Sequence, residues 1–298
     1  MKRHLRLVLS IVILLATIGA FVYYLSHHTY LLAQLAHTPP MLIVVLLVLY
    51  AIFFLALVLL MRASLDFFGK RMGTQENFLL SAYSSLVNFF GPGQSGPAVR
   101  GAYLKKRHGL RVKDYIFTTL LYYGFYAIIS AFFLFVGSRP WWQTVGVIIV
   151  VGAASAVVIQ KFAKKSRIGE QGVGLTPRHF INIFLATALQ CVVQVAIYFA
   201  ELHTINHHIS LAQTITYTGA ANFALFVALT PGAIGIRESF LLFTQHLHHI
   251  DSANIVSANL IDRAAYVLFL GLLFVIVLSL HAKDKLKLSQ IKSTEEQA

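Results

Sequence analysis

Residues 88–100 read Asn-Phe-Phe-Gly-Pro-Gly-Gln-Ser-Gly-Pro-Ala-Val-Arg, and residues 230–238 read Thr-Pro-Gly-Ala-Ile-Gly-Ile-Arg-Glu. Both stretches contain Pro-Gly-x-x-Gly followed within about four residues by an arginine, and both come after an apolar segment. A Pro-Gly pair removes a backbone donor and breaks a helix. The repeated pattern predicts two broken helices and a weak internal symmetry between the two halves of the chain.

The composition indicates that these breaks lie in a membrane. Of the 298 residues, 57% are hydrophobic and 12% are charged, whereas soluble domains are about half apolar and about a quarter charged. A net charge of +13 is also typical of nucleic-acid binders, but apolar runs of about twenty residues argue against that class. The basic charge is better explained by the excess of Lys and Arg in the cytoplasmic loops of membrane proteins.

Six apolar runs are long enough to cross about 30 Å of hydrocarbon as helices. They cover residues 7–25, 41–61, 115–136, 142–160, 180–200 and 261–280. No small-x-small cleavage site follows the first run, so we expect it to be retained as a helix. An open sheet edge in lipid would leave backbone groups unpaired, and the sequence therefore predicts an all-α polytopic membrane protein with about six full transmembrane helices.

The two motif segments, residues 76–104 and 211–249, are predicted to be re-entrant hairpins. The return arm after the first break is too short to span the membrane, and the Lys and Arg residues after it favour a hairpin that opens to the cytoplasm. The second hairpin then opens to the outside. With this topology only Arg139, of 24 Lys and Arg residues, lies outside, while Arg237 and Arg263 lie within membrane-embedded elements.

The whole chain, residues 1–298, is thus predicted to be one membrane domain with two halves, about 1–138 and about 139–282, and a polar cytoplasmic tail at 283–298. Each half holds two spans, one hairpin and one span, and an odd number of crossings inverts the second half. Inverted repeats with broken helices are typical of secondary transporters. We expect a multi-pass protein of the plasma membrane with both termini in the cytoplasm.

Each break predicts an anion site, because it leaves free backbone N–H groups at the start of a helix and a guanidinium can contact phosphate in a forked geometry. Arg100 and Arg237 are the candidate phosphate ligands, and Asn88, Gln94 and Ser95 are candidates for neutral hydrogen bonds. The alternative for the first motif is structural: its glycines permit close helix packing and Arg100 marks the cytoplasmic boundary.

Four charged residues in or after the second motif must also be explained, because an unpaired charge in the bilayer costs several kcal/mol. They are Arg237, Glu238, Asp262 and Arg263. Two hypotheses remain open. A Glu238–Arg263 pair holds the second hairpin against the last helix, or these groups line a polar groove in which Glu238 or Asp262 meets a cation or carries a proton. The full set of headgroup candidates is Asn88, Pro92, Gly96, Arg100, Pro231, Gly232, Gly235, Arg237, Glu238, Asp262 and Arg263.

The histidines, the cysteine and the aromatic residues are not predicted to form a catalytic or metal site. The histidines predicted to lie outside are interpreted mainly as interfacial residues, with a pH-dependent charge as the alternative and no metal site: His27, His28, His37, His203, His207, His208, His246, His248 and His249. Cys191, the only cysteine, is interpreted as a small hydrophobe. The aromatic residues from Tyr115 to Tyr126 are interpreted as packing and interface anchors, or as the border of a lipid chain. No nucleotide, metalloprotease or hydrolase motif is present, so we expect no catalytic residue and no cofactor.

The order Asn88-x3-Pro92-x3-Gly96-x3-Arg100, then Pro231-Gly232-x2-Gly235-x2-Glu238, then Arg263 resembles the lysylphosphatidylglycerol synthase transmembrane-region family. The resemblance covers nearly the whole chain, although Ala233 stands where the family often has glycine. It implies movement of lysylphosphatidylglycerol to the outer leaflet, as in the larger multiple peptide resistance factors. The separate domain that transfers lysine in those relatives has no counterpart in this sequence.

We therefore expect a flippase-like translocase for an anionic or aminoacylated phospholipid, with any driving energy drawn from an ion or lipid gradient. Two alternatives are kept: a phosphatidylglycerol lysyltransferase-type enzyme, and a membrane subunit of a lipid-modifying synthase or glycosyltransferase. The expected partner is a membrane phospholipid, with a separate synthase or glycosyltransferase as a second possibility. Nucleic-acid binding is not expected except to lysyl-tRNA through such a partner.

Overall fold

The computed structural model describes residues 36–91, 95–136, 140–163, 176–226 and 236–295, and a few isolated residues between 19 and 29. This part of the chain is built from helices joined by short connections. In chain order they are α1 (Pro40–Asp66), α2 (Thr74–Phe90), α3 (Ser95–His108), α4 (Val112–Val136), α5 (Trp141–Ala163), α6 (Pro177–Ile205), α7 (Leu211–Phe226), α8 (Ile236–Phe243), α9 (Gln245–His248) and α10 (Ser252–Glu295).

Five of the described helices are long and apolar enough to cross a membrane. They are Pro40–Asp66, Val112–Val136, Trp142–Lys161, Pro177–Ile205 and Ser252–Leu280. Each contains one of the apolar runs found in the sequence, which confirms the all-α polytopic fold. The first predicted span, residues 7–25, lies almost entirely outside the described residues.

The last helix begins earlier than predicted. Hydropathy placed its start at residue 261, whereas α10 begins at Ser252. The first turns of α10 are polar but lie against protein, with Ile255, Ala258 and Asn259 all buried. An apolar-run criterion misses such turns because it assumes that every residue of a span faces lipid.

The first motif forms an antiparallel hairpin of α2 and α3. At its tip, the Asn88 side-chain oxygen accepts a hydrogen bond from the Gly96 backbone N–H at 3.2 Å, and Ser95 Oγ donates to the Val87 carbonyl at 2.8 Å. At its base, Glu76 near the start of α2 lies 2.9 Å from His108 at the end of α3. The chain therefore returns to the side from which it started, as expected for a re-entrant segment. Pro92 and Gln94 lie outside the described residues.

The second motif is also flanked by two short helices, α7 and α8, which pack against each other. Gln213 in the first turn of α7 donates a hydrogen bond to the backbone carbonyl of His249, just beyond α9, at 3.3 Å. This segment too returns to its starting end. Pro231, Gly232, Ala233 and Gly235 of the motif itself lie outside the described residues.

Helix contacts follow a two-fold pattern when α1, α2, α3 and α4 are paired with α6, α7, α8 and α10. The α4–α7 contact has its counterpart in α10–α2, and α4–α6 has its counterpart in α10–α1. Within the halves, α1–α2 corresponds to α6–α7, and α3–α4 corresponds to α8–α10. The α1–α6 contact joins the two equivalent helices directly. These contacts are the ones that two related halves require, and they support the predicted repeat.

The base of the first hairpin is held by Glu76. Tyr103 Oη donates a hydrogen bond to Glu76 Oε1 at 2.7 Å, and His108 Nε2 lies 2.9 Å from the same oxygen. Partial burial works against the charged carboxylate, but the hydrogen bonds from Tyr103 and His108 outweigh it and lower the pKa of Glu76. Burial and the contact with Glu76 raise the pKa of Tyr103 to about 12.

Because the pKa of Glu76 is lower in the folded protein than in the unfolded chain, its stabilising effect is present above the unfolded value and is lost as the pH falls through the folded value. We expect Glu76→Gln to reduce the free energy of unfolding by about 1 kcal/mol at pH 7. The difference from the parent protein should vanish in acid. Unfolding curves in detergent at neutral and acidic pH measure it, and an equal loss at both would contradict the assignment.

The contact between the two halves depends on close backbone approach at Gly219 of α7. A Cβ atom there would lie 2.4 Å from the backbone nitrogen of Leu134 and 2.8 Å from the Ser130 carbonyl oxygen, both in α4. Such distances are far below van der Waals contact, and backbone atoms cannot rotate away as a side chain can.

We therefore expect Gly219→Ala to separate α4 from α7 and to cost about 1–3 kcal/mol of stability. Gly146→Ala is the matched control, because a Cβ at that position in α5 meets nothing within 4 Å. The melting temperatures of the purified variants in detergent test this. Equal melting temperatures for the two variants would show that the close approach is unimportant.

Candidate functional site

A cavity of about 300 Å³ lies between the two halves. Its lining comes from both members of the helix pairs α1/α6, α2/α7, α3/α8 and α4/α10. Five of the predicted candidates share it: Asn88, Arg100, Arg237, Asp262 and Arg263. The fold thus brings the arginines of both motif segments, 137 positions apart in the chain, to one space.

Arg237 and Asp262 form an ion pair that joins α8 to α10, with Nη2 and Oδ2 2.5 Å apart. Arg237 Nε also donates a hydrogen bond to the side-chain oxygen of Asn259 at 2.7 Å. Its guanidinium carbon lies 5.5 Å from the centre of the Tyr198 ring. The charge of Arg237 is therefore already compensated in this conformation.

A second ion pair joins the same two helices. Arg263 Nε donates a hydrogen bond to Glu238 Oε1 at 3.0 Å, and its Nη2 contacts the same oxygen. The predicted Glu238–Arg263 pair is present in the structure. Asp262 is held from a third helix as well, since the Tyr50 hydroxyl of α1 donates a hydrogen bond to its carboxylate.

Arg100 differs from Arg237 in its partners. Among the described residues it forms no ion pair, and its buried Nε has no hydrogen-bond partner. It lies close enough to Tyr122, Tyr123 and Tyr266 to interact with them electrostatically. Of the arginines that line the cavity, Arg100 is the one without an ion-pair partner among the described residues.

Two further candidates of the first motif, Asn88 and Gly96, make contacts within the first hairpin. The oxygen of Asn88 accepts the Gly96 N–H, so one N–H group predicted to be free is occupied. A Cβ at Gly96 would lie 2.6 Å from the Ser84 carbonyl oxygen and 2.8 Å from the Asn88 Cβ. Gly96 therefore permits the close packing of α2 on α3, which is the structural alternative stated for the glycines.

Several polar residues of the cavity were not identified from the sequence. Tyr122 Oη donates to Gln190 Oε1 at 3.1 Å, and Tyr126 Oη lies 2.9 Å from Gln194 Oε1. Gln190 is buried, and its Nε2 has no hydrogen-bond partner in the described part of the chain. Two glutamines four residues apart lie on one face of a helix, and this pattern within an apolar span was the signal that could have revealed them.

Glu201 is the other residue that sequence reasoning missed. It lies in α6 with none of its surface exposed, and neither carboxylate oxygen has a hydrogen-bond partner among the described residues.

The tyrosines from Tyr115 to Tyr126, interpreted as packing residues or the border of a lipid chain, include several that line the cavity.

The histidines and the cysteine do not form a site in the described residues. No group of three or more His, Cys, Asp or Glu residues there is arranged to hold a metal ion. His248 is buried: its Nε2 lies 3.1 Å from the Leu241 carbonyl oxygen and its Nδ1 accepts the Ile250 N–H. Burial lowers the pKa of His248, so it serves as a packed neutral side chain at the end of the second hairpin. Cys191 is buried and free.

The fold and the cavity define a polytopic helical membrane protein with a charged internal site between two related halves. The sequence profile of the lysylphosphatidylglycerol synthase transmembrane region matches residues 5–273. The chain belongs to this family, and its function is therefore related to membrane lipids. No curated protein matches the chain.

The Glu238–Arg263 pair can be tested by charge exchange. The Arg263 side chain is 6% exposed and that of Glu238 is 24% exposed, so we expect Glu238→Gln or Arg263→Gln to cost about 3 kcal/mol, at the lower end for a broken buried pair. The double variant Glu238→Arg/Arg263→Glu should regain most of that stability. Melting temperatures measure both effects, with Asp251→Asn, an exposed acid, as the control. A double variant less stable than either single variant would rule out a direct pair.

Proposed function

We propose that the protein moves a phosphate-bearing lipid, anionic or aminoacylated such as lysylphosphatidylglycerol, between the leaflets of the plasma membrane. The observation that carries this proposal is the position of Arg100. Arg100 lines the cavity between the halves and has no partner carboxylate among the described residues. Membership of a lipid-related membrane family supports a lipid as the ligand.

The cavity chemistry suits a phosphodiester. A guanidinium presents donors in a fixed fork that matches two phosphate oxygens. The side-chain N–H₂ of Gln190 is a further donor without a partner in the described part. The rest of the lining is largely aromatic and aliphatic, and it suits the glycerol and upper acyl region of a lipid whose chains remain in the bilayer.

The two arginines then act in sequence. Arg100 takes the phosphate first, because no existing ion pair has to be broken. Transfer to Arg237 requires the phosphate to replace Asp262, which remains hydrogen-bonded to the Tyr50 hydroxyl. The cavity thereby offers two phosphate positions of different affinity, one contributed by each half of the repeat.

A second candidate function is that of a membrane subunit of a lipid-modifying synthase or glycosyltransferase. It is favoured by the description of the family itself, which refers to the membrane region of a synthase. In this role the cavity would present a lipid to a partner rather than carry it across. A lysyltransferase-type activity of the chain itself is the remaining form of this alternative.

Lipid movement in proteoliposomes tests the proposal. The probe is phosphatidylglycerol with a fluorescent acyl chain, and the readout is the rate at which it becomes accessible to a membrane-impermeant quencher. We expect Arg100→Gln to slow movement by at least roughly tenfold, equal to about 1.4 kcal/mol, and Arg100→Lys to retain only part of the rate because the fork is lost. Arg107→Gln, an exposed position on the same helix, is the matched control.

The outcomes separate the candidate functions. No acceleration of phosphatidylglycerol, its lysyl ester or a polyprenyl phosphate by the parent protein would contradict the translocase. Formation of lysyl-lipid by the purified chain from phosphatidylglycerol and charged lysyl-tRNA would support the enzyme instead. If the parent protein moves no lipid and a synthase or glycosyltransferase copurifies with it, the subunit role is supported.

A further inference from the structure

Glu201 has no assigned role in the site described so far, and its surroundings are unusual. It lies in the membrane-spanning helix α6, four residues before the end of that helix at Ile205. The side chain is fully buried, and both carboxylate oxygens lack a hydrogen-bond partner among the described residues. An ionised carboxylate is an acceptor-only group, so this conformation leaves all of its acceptor capacity unused.

The described groups that interact with Glu201 come from four other helices and from its own. Asp262 of α10 and Arg237 of α8 interact with it electrostatically. Tyr50 of α1, Tyr217 of α7 and Tyr198 of its own helix do so as well, and these three are neutral donors or acceptors. Helix α4 also packs on α6. Its Tyr122 and Tyr126 contact Gln190 and Gln194, which lie about two turns or more before Glu201 along α6.

The charges around Glu201 do not balance if it is ionised. Among the described residues, Arg237 is the cation that interacts with Glu201, and it is already paired with Asp262. A second carboxylate beside this pair would be an uncompensated charge in the membrane interior, with a cost of several kcal/mol. A proton on Glu201 removes that charge without any change in the Arg237–Asp262 pair.

A lipid phosphate bound at Arg237 also creates an excess of negative charge at this position. The phosphate brings a negative charge next to Asp262, and an ionised Glu201 would repel it. A neutral Glu201 accepts the phosphate at a lower cost. Since linkage is reciprocal, the lipid must also strengthen proton binding by the same factor that the proton strengthens lipid binding.

We propose that Glu201 is a proton-binding site that couples lipid movement to proton movement in the same direction. This inference rests on the proposed function, because Glu201 interacts with Arg237 and Asp262, which line the same cavity. The chemical step is a simple proton transfer: a Glu201 carboxylate oxygen takes a proton from hydronium before the phosphate reaches Arg237, holds it in the conformation described here, and returns it to water as hydronium when the lipid leaves. For an anionic lipid such as phosphatidylglycerol, one negative charge and one proton then move together, and the cycle is electrically neutral.

The protonation of Glu201 can be measured without lipid transport. In infrared spectra of the purified protein, a protonated carboxylic acid has a carbonyl band separate from the amide and carboxylate bands. We expect such a band at neutral pH in the parent protein, its loss in Glu201→Gln, and no change in Asp251→Asn, which removes an exposed acid. A parent spectrum without the band, or a band that persists in Glu201→Gln, would overturn the inference whether or not the protein moves lipid.

Coupling is measured in proteoliposomes with an imposed pH gradient. Labelled phosphatidylglycerol should accumulate in the leaflet that faces the more alkaline side, because protons move in that direction and carry the lipid with them. In Glu201→Gln, which is permanently neutral, lipid movement without a gradient should persist while the gradient-driven accumulation is lost. Asp251→Asn should retain both.

The outcomes distinguish this inference from the proposed function. Lipid movement in the parent protein that does not respond to the pH gradient leaves the translocase intact and overturns the role of Glu201. Gradient-driven accumulation that persists in Glu201→Gln also overturns it. No lipid movement by the parent protein overturns the translocase and the coupling together, while the infrared band still decides whether Glu201 holds a proton.

Discussion

Charged groups inside a membrane have to be paired or hydrated, because bare charges there cost several kcal/mol. In this protein that requirement is met by two ion pairs, Arg237–Asp262 and Arg263–Glu238. Both connect α8, the short return helix of the second hairpin, to the long helix α10. Hydrogen bonding of Asp262 by Tyr50 extends the link to α1, so the same charges that need compensation also hold the second hairpin against the first half.

The repeat gives the two arginines comparable places but not comparable partners. Arg100 lies in α3 and Arg237 in α8, and the two-fold pattern of helix contacts brings both to the cavity between the halves. Arg237 has a carboxylate, an amide oxygen and an aromatic ring around it, whereas Arg100 has no such carboxylate in the described part of the chain. In the function we propose, this asymmetry gives the two related positions different steps: Arg100 receives the phosphate, and Arg237 exchanges a carboxylate for it.

Several elements were predictable because they depend on local properties of the chain. The five described spans follow from runs of apolar residues, and the end of α2 at Phe90 follows from the glycine that comes next. The return of each hairpin to its own side was anticipated from helix length and charge, and the Glu76–His108 and Gln213–His249 contacts agree with it. The start of α10 was wrong by nine residues, because its first turns are polar on the side that packs against protein.

By itself the sequence determined the class of protein, the approximate spans and the residues with charges in the membrane, because hydropathy and helix breaking act over a few neighbouring residues. Only the tertiary structure decided which charges are paired, which arginine is available and which neutral residues line the cavity. Gln190 and Gln194 are isolated polar residues in an apolar run, and Glu201 follows directly after that run. The importance of all three comes from neighbours that are distant in the chain. Electrostatic energy depends on distances in space between such groups, and those distances exist only once the two halves have packed together.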